Sequence, residues 1–168
     1  MKVKELMTRE IKVCMANETL SRAAQLMWEY DCGFLPIIES DGIGALLGVV
    51  TDRDIAMATY TQGKPPSAIP LTAFVAHTII TCHEDDDITV AETLMKKHQV
   101  RRLPVIGRNG RLAGILSLND LAREIELEKA PGRRIELSAA DVATTLAAIA
   151  KPRLAHEGKA VIDLDYVE

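Results

Sequence analysis

An internal duplication constrains the fold of this chain more than any other feature of its sequence. Residues 68 positions apart match in the early part of each half: Cys14 and Cys82, Ala23 and Ala91, Leu26 and Leu94, Met27 and Met95, Leu35 and Leu103, Pro36 and Pro104. The offset then falls to 66: Gly48 and Gly114, Thr51 and Ser117, Asp54 and Asp120. Similarity at a fixed spacing indicates a repeated structural unit, and the first copy has a connecting turn that is two residues longer.

Each half has the same order of predicted elements. The first half predicts a strand at 11–15, a helix from Leu20 that Gly33 ends, strands at 34–38 and 46–50, and a helix from Thr51 to about Tyr60. The second predicts a strand at 78–82, a helical face from Ile88 to Met95, strands at 103–106 and 112–116 around the Asn109-Gly110 turn, and a helix towards Glu128. Apolar spacing and turn residues support these assignments. Pro36 indicates an edge position or a bulge.

These patterns predict an α/β protein with two β-α-β-β-α repeats and a C-terminal helical tail. The predicted boundaries are 1–62 for the first repeat, 63–72 for a linker, 73–130 for the second repeat and 131–168 for the extension. The Gly- and Pro-rich sequence at 63–67 marks the linker. In the extension, Ser138 and Asp141 have capping-box spacing and open an Ala-rich helix that Pro152 terminates after Lys151. A last short strand is predicted at 161–164.

The most informative motif is an apolar strand that ends at a hydroxyl residue, with an aspartate three residues later. It reads Gly48-Val49-Val50-Thr51-Asp52-Arg53-Asp54 in the first half and Gly114-Ile115-Leu116-Ser117-Leu118-Asn119-Asp120 in the second. Such a junction gathers backbone N–H donors, a hydroxyl and a carboxylate, which suits a duplicated binding module. The same spacing also forms a helix cap that stabilises by roughly 1 kcal/mol without any ligand. From the spacing, both interpretations stay open.

Composition limits the possible partners. The net charge is -4 and aromatic residues make up 4% of the chain, so neither nucleic acid nor an anionic membrane is an expected partner. No apolar run approaches the roughly 18 residues of a membrane span. The three cysteines form no disulfide framework and favour a reducing, cytoplasmic location.

Together these motifs resemble a tandem pair of CBS domains, the cystathionine-β-synthase-type repeats that form a Bateman module. The resemblance rests on the two strand-to-helix signatures, the Leu35-Pro36-Ile37 and Leu103-Pro104-Val105 strands, and the shared element order. It covers roughly residues 1–128. It implies a pseudo-twofold pair of repeats, with clefts between them that bind AMP, ADP, ATP or S-adenosylmethionine. It further implies a homodimer that regulates a partner protein, with the nucleotide as a regulatory ligand and no required cofactor.

The resemblance also assigns expected roles to residues. The ribose would be held by Thr51, Asp54, Ser117 and Asp120. The phosphates would meet Arg53, Arg101 and Arg102. The adenine pocket would be lined by Ile11 and Val13, by Thr78 and Ile79, and by the strands around Pro36 and Pro104. Because the family's clefts mix residues from both repeats, the cleft that receives each arginine stays open.

The two sites are expected to differ in strength. Asp52 and Asp54 place two carboxylates in one helical turn, which opposes a phosphate, whereas the second signature has Asp120 alone. Arg101 and Arg102 come just before the second proline strand, whereas the first half has Cys32-Gly33 at that place. We therefore predict one stronger nucleotide site and one that is weaker or empty.

Three alternative functions remain. The chain could be a ligand-free dimerisation and protein-interaction module that acts through its tail. It could be an enzyme or metal protein through Cys82-His83-Glu84, although His77, His98 and His156 have no visible catalytic companion and no Gly-rich phosphate loop is present. DNA binding through Arg133-Arg134 is disfavoured by the negative net charge. The prediction is a non-enzymatic regulatory module, whose ligand and partner the sequence leaves unnamed.

Overall fold

The structure is a computed structural model that describes residues 1–39, 44–76, 78–128 and 137–152. The elements in chain order are α1 (Val3–Leu6), β1 (Cys14–Met15), α2 (Leu20–Glu29), β2 (Phe34–Ile38), β3 (Leu46–Thr51), α3 (Asp52–Gln62), β4 (Cys82–His83), α4 (Ile88–His98), β5 (Arg102–Ile106), β6 (Leu112–Ser117), α5 (Leu118–Glu128) and α6 (Ala139–Ile149). Two short 3-10 helices, Pro66–Ala68 and Leu71–Phe74, follow α3. The α/β class and the order β-α-β-β-α in both halves are confirmed.

The chain forms two compact units. One contains Lys12–Ile79, and the other combines Met1–Ile11 with Ile80–Pro152. The first eleven residues therefore pack with the second set of strands and helices. The chain passes from one unit to the other after Ile11 and again after Ile79.

The first sheet has the strand order β1-β2-β3. β1 is parallel to β2, with Cys14 opposite Ile37, and β2 is antiparallel to β3, with Pro36 opposite Val49. The register shifts between Ile37 and Ile38, so the predicted bulge is present. β2 is the central strand, so the alternative of an edge position is wrong. Because β1 pairs only with Ile37 and Ile38, Pro36, which has no N–H to donate, lies beyond the end of the β1 ladder.

The second sheet repeats this arrangement in the order β4-β5-β6. Cys82 lies opposite Val105, Pro104 lies opposite Ile115, and the register shifts between Val105 and Ile106. The first strand of each sheet is two residues long, shorter than the predicted strands at 11–15 and 78–82. The apolar residues just before Cys14 and Cys82 have strand-like composition. They are not part of a strand because β2 and β5 pair only with the residues from Cys14 and Cys82 onward.

A residue with left-handed backbone follows the helix between the first two strands of each sheet, α2 in the first sheet and α4 in the second. Asp31 has φ 48° and Gln99 has φ 51°, and these two positions are 68 residues apart. The prediction that Gly33 ends the first helix is therefore wrong, because α2 ends at Glu29 and Asp31 supplies the left-handed turn. Asp is among the residues that adopt this conformation most readily. Gly63, with φ 61°, plays the same part after α3.

Each unit has its own apolar core. The first consists of Cys14, Leu20, Ala23, Leu26, Met27, Leu35, Ile37, Val50, Ala58, Ile69 and Leu71. The second consists of Val3, Met7, Cys82, Ile88, Ala91, Met95, Leu103, Val105, Leu116, Leu118, Leu121, Leu137, Val142 and Ile149. The repeat positions that match in sequence therefore supply both cores, and the second core gains residues from both ends of the chain.

Helix α6 of the extension packs against α4 and α5. Its Val142 and Ile149 are buried, and the hydroxyl of the fully buried Thr145 donates to Glu92 at 2.9 Å. The predicted tail helix is confirmed, although it ends at Ile149 rather than at Lys151. The predicted strand at 161–164 lies outside the described residues. In the described ranges, no helix combines the length and apolar character that crossing a membrane requires.

The N-terminal segment is anchored to the loop between β4 and α4. The backbone N–H groups of Val3 and Lys4 donate to the carbonyl oxygens of Asp86 and Glu84 at 3.0 and 2.9 Å. Asp85 accepts from Arg108 and from the ammonium of Lys4. These two cations hold the pKa of Asp85 well below its usual range.

A connecting segment runs alongside the last strand of each sheet. Thr8 and Ile115 exchange N–H···O hydrogen bonds of 2.9 and 3.0 Å, and Ala76 N–H donates to Leu47 at 3.0 Å. A Cβ placed on Gly48 would lie 2.3 Å from the carbonyl oxygen of Phe74, and one on Gly114 would lie 2.6 Å from that of Thr8. The first residue of each signature must be glycine because another backbone occupies the space of a side chain.

We expect Gly48→Ala and Gly114→Ala each to lower the free energy of unfolding by about 1–3 kcal/mol, because the added methyl must displace backbone. Urea denaturation measures this. Gly33→Ala is the control, since its methyl would lie 2.7 Å from an oxygen of the exposed Asp52 side chain, which can rotate away. Equal stability of all three variants and the parent would show that the connecting segments do not lie against β3 and β6 in solution.

Candidate functional site

The junction between β3 and α3 is a complete capping box. Thr51 is the N-cap residue, and the Asp54 Oδ2 atom accepts hydrogen bonds from its backbone N–H at 2.9 Å and from its hydroxyl at 2.6 Å. In return, the Asp54 N–H donates to Thr51 Oγ1 at 3.2 Å. Both side chains are half-buried. The helix start that the sequence predicts at Thr51 is confirmed.

The junction between β6 and α5 has the same geometry. Asp120 Oδ2 accepts from the Ser117 N–H at 2.7 Å and from its hydroxyl at 2.6 Å, and the Asp120 N–H donates to Ser117 Oγ at 3.2 Å. Asp120 is nevertheless far more enclosed than an ordinary capping carboxylate, with 7% of its surface exposed. The two signatures thus place the same groups at the same end of equivalent strands.

A third capping box occurs outside the repeats, at the start of α6. Asp141 Oδ2 accepts from the Ser138 hydroxyl at 2.5 Å and from its N–H at 3.2 Å. Those bonds from Ser138 lower the pKa of the exposed Asp141. Because the sequence before Ser138 lacks the glycine and apolar pair of the signature, capping geometry alone is not evidence for a ligand. Burial and neighbouring side chains are what distinguish the signature junctions.

The Oδ1 oxygen of the signature carboxylate has a different environment at the two junctions. Asp120 Oδ1 accepts a hydrogen bond from Nη2 of Arg123 and forms an ion pair with it. Asp54 Oδ1 has no such partner among the described residues, and Met57 occupies the position that corresponds to Arg123 at the offset of 66. Sequence reasoning missed Arg123, although extending the repeat alignment three residues beyond Asp120 would have revealed the contrast.

The predicted phosphate-binding arginines occupy different places. Arg102, half-buried in β5, lies directly opposite Ser117, whereas Arg101 is exposed and its carbonyl oxygen accepts from the Leu118 N–H at 2.9 Å. Arg53 is exposed in the first turn of α3, and its side chain has no hydrogen bond or ion pair with another described residue.

The first unit has no cation at the positions of Arg101 and Arg102. Phe34 lies opposite Thr51, and the carbonyl oxygen of Gly33 accepts from the Asp52 N–H at 3.4 Å. The structural equivalents are therefore Gly33 and Phe34. This corrects the sequence comparison with Cys32-Gly33 by one residue, because the strand pairing fixes the alignment.

The proline strands bring further site candidates to the signature junctions. Arg102 is opposite Ser117 and two residues before Pro104, so all three lie on one face of the second sheet. Pro36 has the same relation to Thr51 in the first sheet. Both prolines are buried.

The predicted adenine-lining residues belong to the connecting segments. Ile11, Val13 and Ile79 are half-buried, Thr78 is exposed, and none of them lies in a strand. Their proposed contact with a ligand stays a prediction.

Two of the three thiols belong to the cores. Burial raises the pKa of Cys14 and of Cys82 to about 12, so both stay protonated at neutral pH. His83 Nδ1 accepts from the Asp85 N–H at 3.2 Å, and Glu84 accepts from the Arg108 N–H at 3.1 Å, so these side chains organise the loop after β4. Within the described ranges, no three His, Cys, Asp or Glu side chains form a group suited to a metal.

We expect one of the three thiols to react quickly with a thiol reagent such as DTNB in the native protein, and all three to react in urea. Cys32 is half-buried, whereas Cys14 and Cys82 are buried and protonated, and the thiolate is the reactive form. Cys32→Ser should abolish the fast phase. Fast modification of Cys14 or Cys82 would show that the strands bearing them open readily.

The fold and the paired junctions define a tandem-repeat α/β protein. The sequence profile of the CBS domain family matches residues 3–60 and 72–127. The chain therefore belongs to the CBS domain family, and the resemblance noted in the sequence is confirmed.

Two curated relatives match over most of the chain. The CBS domain-containing protein YhcV of Bacillus subtilis is 36% identical over 120 residues, which cover 71% of this chain and 82% of YhcV. Hypoxic response protein 1 of Mycobacterium tuberculosis is 34% identical over 122 residues, which cover 73% of this chain and 83% of that protein.

Solved structures show the same fold. The crystal structure of hypoxic response protein I, which has two coordinated zinc ions, has a TM-score of 0.66 and covers 73% of this chain and 98% of its own. The CBS domain pair of MJ0100, solved with 5'-methylthioadenosine and S-adenosyl-L-methionine, is 26% identical with a TM-score of 0.66. It covers 77% of this chain and 98% of its own.

Proposed function

We propose that this protein is a regulatory module that binds an adenosine-containing ligand and signals its presence to a partner protein. The candidate ligands are AMP, ADP, ATP and S-adenosylmethionine. The observation that carries the proposal is the pair of matched junctions, which place a hydroxyl and a carboxylate at the ends of the equivalent strands β3 and β6. The adenosine ligands of the MJ0100 domain pair support it.

The ribose is the part of the ligand that the junctions suit best. A vicinal diol offers two O–H donors, and a carboxylate accepts them in charge-assisted hydrogen bonds. At the first junction Asp54 Oδ2 is already bonded to Thr51, so Oδ1 is the oxygen available to the diol. Asp120 and Ser117 have the same role at the second junction.

The remaining site residues contribute phosphate and base contacts in this proposal. Arg53, Arg101 and Arg102 meet phosphate, for which a guanidinium fork has matching geometry. The N–H groups at the starts of α3 and α5 add a partial positive charge. The adenine lies against Ile11, Val13, Thr78 and Ile79 and the strands around Pro36 and Pro104. The proposal requires no catalytic residue and no bound cofactor.

A saturating adenosine ligand should raise the melting temperature of the protein, because it binds only the folded state. At a concentration 100-fold above Kd, we expect a rise of about 5–10 °C, which differential scanning fluorimetry detects. AMP, ATP and S-adenosylmethionine are the probes, and GTP is the control ligand. Asp54→Ala and Asp120→Ala should each reduce the calorimetric stoichiometry or affinity.

Asp141→Ala is the matched control, because it removes the same capping box from α6 without touching a signature junction. It should lower the melting temperature and leave the ligand response intact. Absence of any ligand response, with similar destabilisation in all three Asp variants, would leave the signature aspartates as helix caps. The alternative of a ligand-free interaction module would then be favoured.

We also infer that two copies of the chain associate through the first repeat. The α2–α3 groove, lined by Ala24, Met27, Trp28, Asp52 and Ile55, is open, and Trp28 is 89% exposed. On the second repeat, α6 covers the corresponding face: Leu121, the counterpart of Ile55, is fully buried, and Glu92, the counterpart of Ala24, is 3% exposed. Of these two equivalent faces, only that of the first repeat is uncovered by other described residues.

Trp28→Glu should shift the protein from dimer to monomer, because it places a charge in the α2–α3 groove. Sedimentation velocity at about 10–100 µM, a range that includes moderate affinities, measures the change. Val90→Glu, at an exposed position on α4, is the control and should leave the dimer intact. A monomeric parent, or a dimeric Trp28→Glu variant, would contradict the inference.

We propose a cytoplasmic location on the basis of the cysteines. All three are free thiols, and two of them lie in apolar cores. Unpaired thiols of this kind are typical of reducing compartments.

A further inference from the structure

We propose that Arg123 makes the second junction selective for phosphorylated adenosine ligands, whereas the first junction, with Met57 in the same place, accepts adenosine with or without phosphate. This inference rests on the proposed function and assigns a ligand class to each of its two sites.

The carboxylate of Asp120 has both of its oxygens engaged. Oδ2 accepts two hydrogen bonds from Ser117, and Oδ1 accepts from Arg123. The side chain of Asp120 is 6% exposed, so it has little water available as a substitute partner. A ribose diol can reach Oδ1 only if the guanidinium of Arg123 moves away.

The guanidinium of Arg123 can rotate away from Asp120, but it then lacks the anion that Asp120 supplied. Its side chain is 71% exposed and lies one helical turn after Asp120, so rotation about its own bonds can carry the guanidinium off the carboxylate. A ligand phosphate supplies an anion that replaces the lost ion pair, in a geometry that the guanidinium fork matches. Uncharged adenosine breaks the ion pair between Asp120 and Arg123 without supplying another anion for the guanidinium.

The neighbouring charges act in the same direction. Arg102 lies opposite Ser117 and Arg101 comes directly before Arg102 in the chain, whereas the signature itself contributes the one carboxylate of Asp120. Each of these cations favours a phosphate that approaches the start of α5.

The first junction serves as an internal control within the same chain. Its hydrogen bonds between Thr51 and Asp54 match those of the second junction, so the backbone is not the source of any difference. Met57 has no donor for Asp54 Oδ1, so a diol can reach this oxygen without breaking an ion pair among the described residues. The carboxylates of Asp52 and Asp54, with Arg53 between them, give a bound phosphate little net attraction.

Calorimetric titration with AMP and with adenosine tests the inference. Asp54→Ala leaves the second junction, and Asp120→Ala leaves the first. The Asp54→Ala protein should bind AMP about 10- to 100-fold more tightly than adenosine, as expected for a charge-assisted phosphate contact. The Asp120→Ala protein should show a preference for AMP that is at least tenfold smaller.

Exchange of the two side chains then tests the role of Arg123 itself. In the Asp54→Ala protein, Arg123→Met should raise adenosine affinity and lower AMP affinity, so that the preference falls about tenfold. In the Asp120→Ala protein, Met57→Arg should create a preference for AMP. Arg123→Gln replaces Arg123→Met if the latter does not fold, as judged by circular dichroism.

The outcomes separate the two proposals. If ligand binding depends on Asp54 and Asp120 but the ratio of AMP to adenosine affinity is unchanged by Arg123→Met, the selectivity is overturned and the proposed function stands. If ATP or S-adenosylmethionine binds the parent protein but neither AMP nor adenosine does, the selectivity is also overturned and the proposed function stands. If none of AMP, ADP, ATP and S-adenosylmethionine binds, or if neither aspartate affects binding, the proposed function fails and the selectivity fails with it.

Discussion

The close approach of one backbone to another at the signature glycines is the constraint on which the rest of the structure depends. β3 and β6 are the outer strands of three-stranded sheets, and each has an edge that needs hydrogen-bond partners. Thr8 forms a bridge with Ile115 at the edge of β6, and Val75 forms a bridge with Gly48 at the edge of β3. Because the covering segments fix these strands, the hydroxyl residue at each strand end has a defined position.

The groups that cap the helices are also the groups proposed to bind ribose. A hydroxyl and a carboxylate three residues apart satisfy the first N–H groups of a helix, as the Ser138–Asp141 pair shows without the signature sequence. Each duplicated junction therefore stabilises its helix whether or not it binds a ligand. Function must be inferred from what surrounds the cap, and the surroundings of Asp54 and Asp120 differ.

The repeats share one order of strands and helices but differ in whether the face of their paired helices is covered. Helix α6 buries Leu121 and Glu92 on the second repeat, while the corresponding Ile55 and Ala24 line an open groove on the first. One helical face is available for association, and the other is occupied by the chain's own extension.

Local patterns in the sequence were sufficient to predict the order of elements, both junctions and the helix of the extension, because helix caps, turns and apolar periodicity involve residues close together in the chain. The sequence did not indicate that residues 1–11 pack against β6, that the proline strands are central, or that Arg123 pairs with Asp120. The first two depend on pairing between distant segments, whose partners periodicity does not specify. The ion pair is a contact within one helical turn that the sequence permits, and only the structure shows that it forms and that 7% of the surface of Asp120 is exposed.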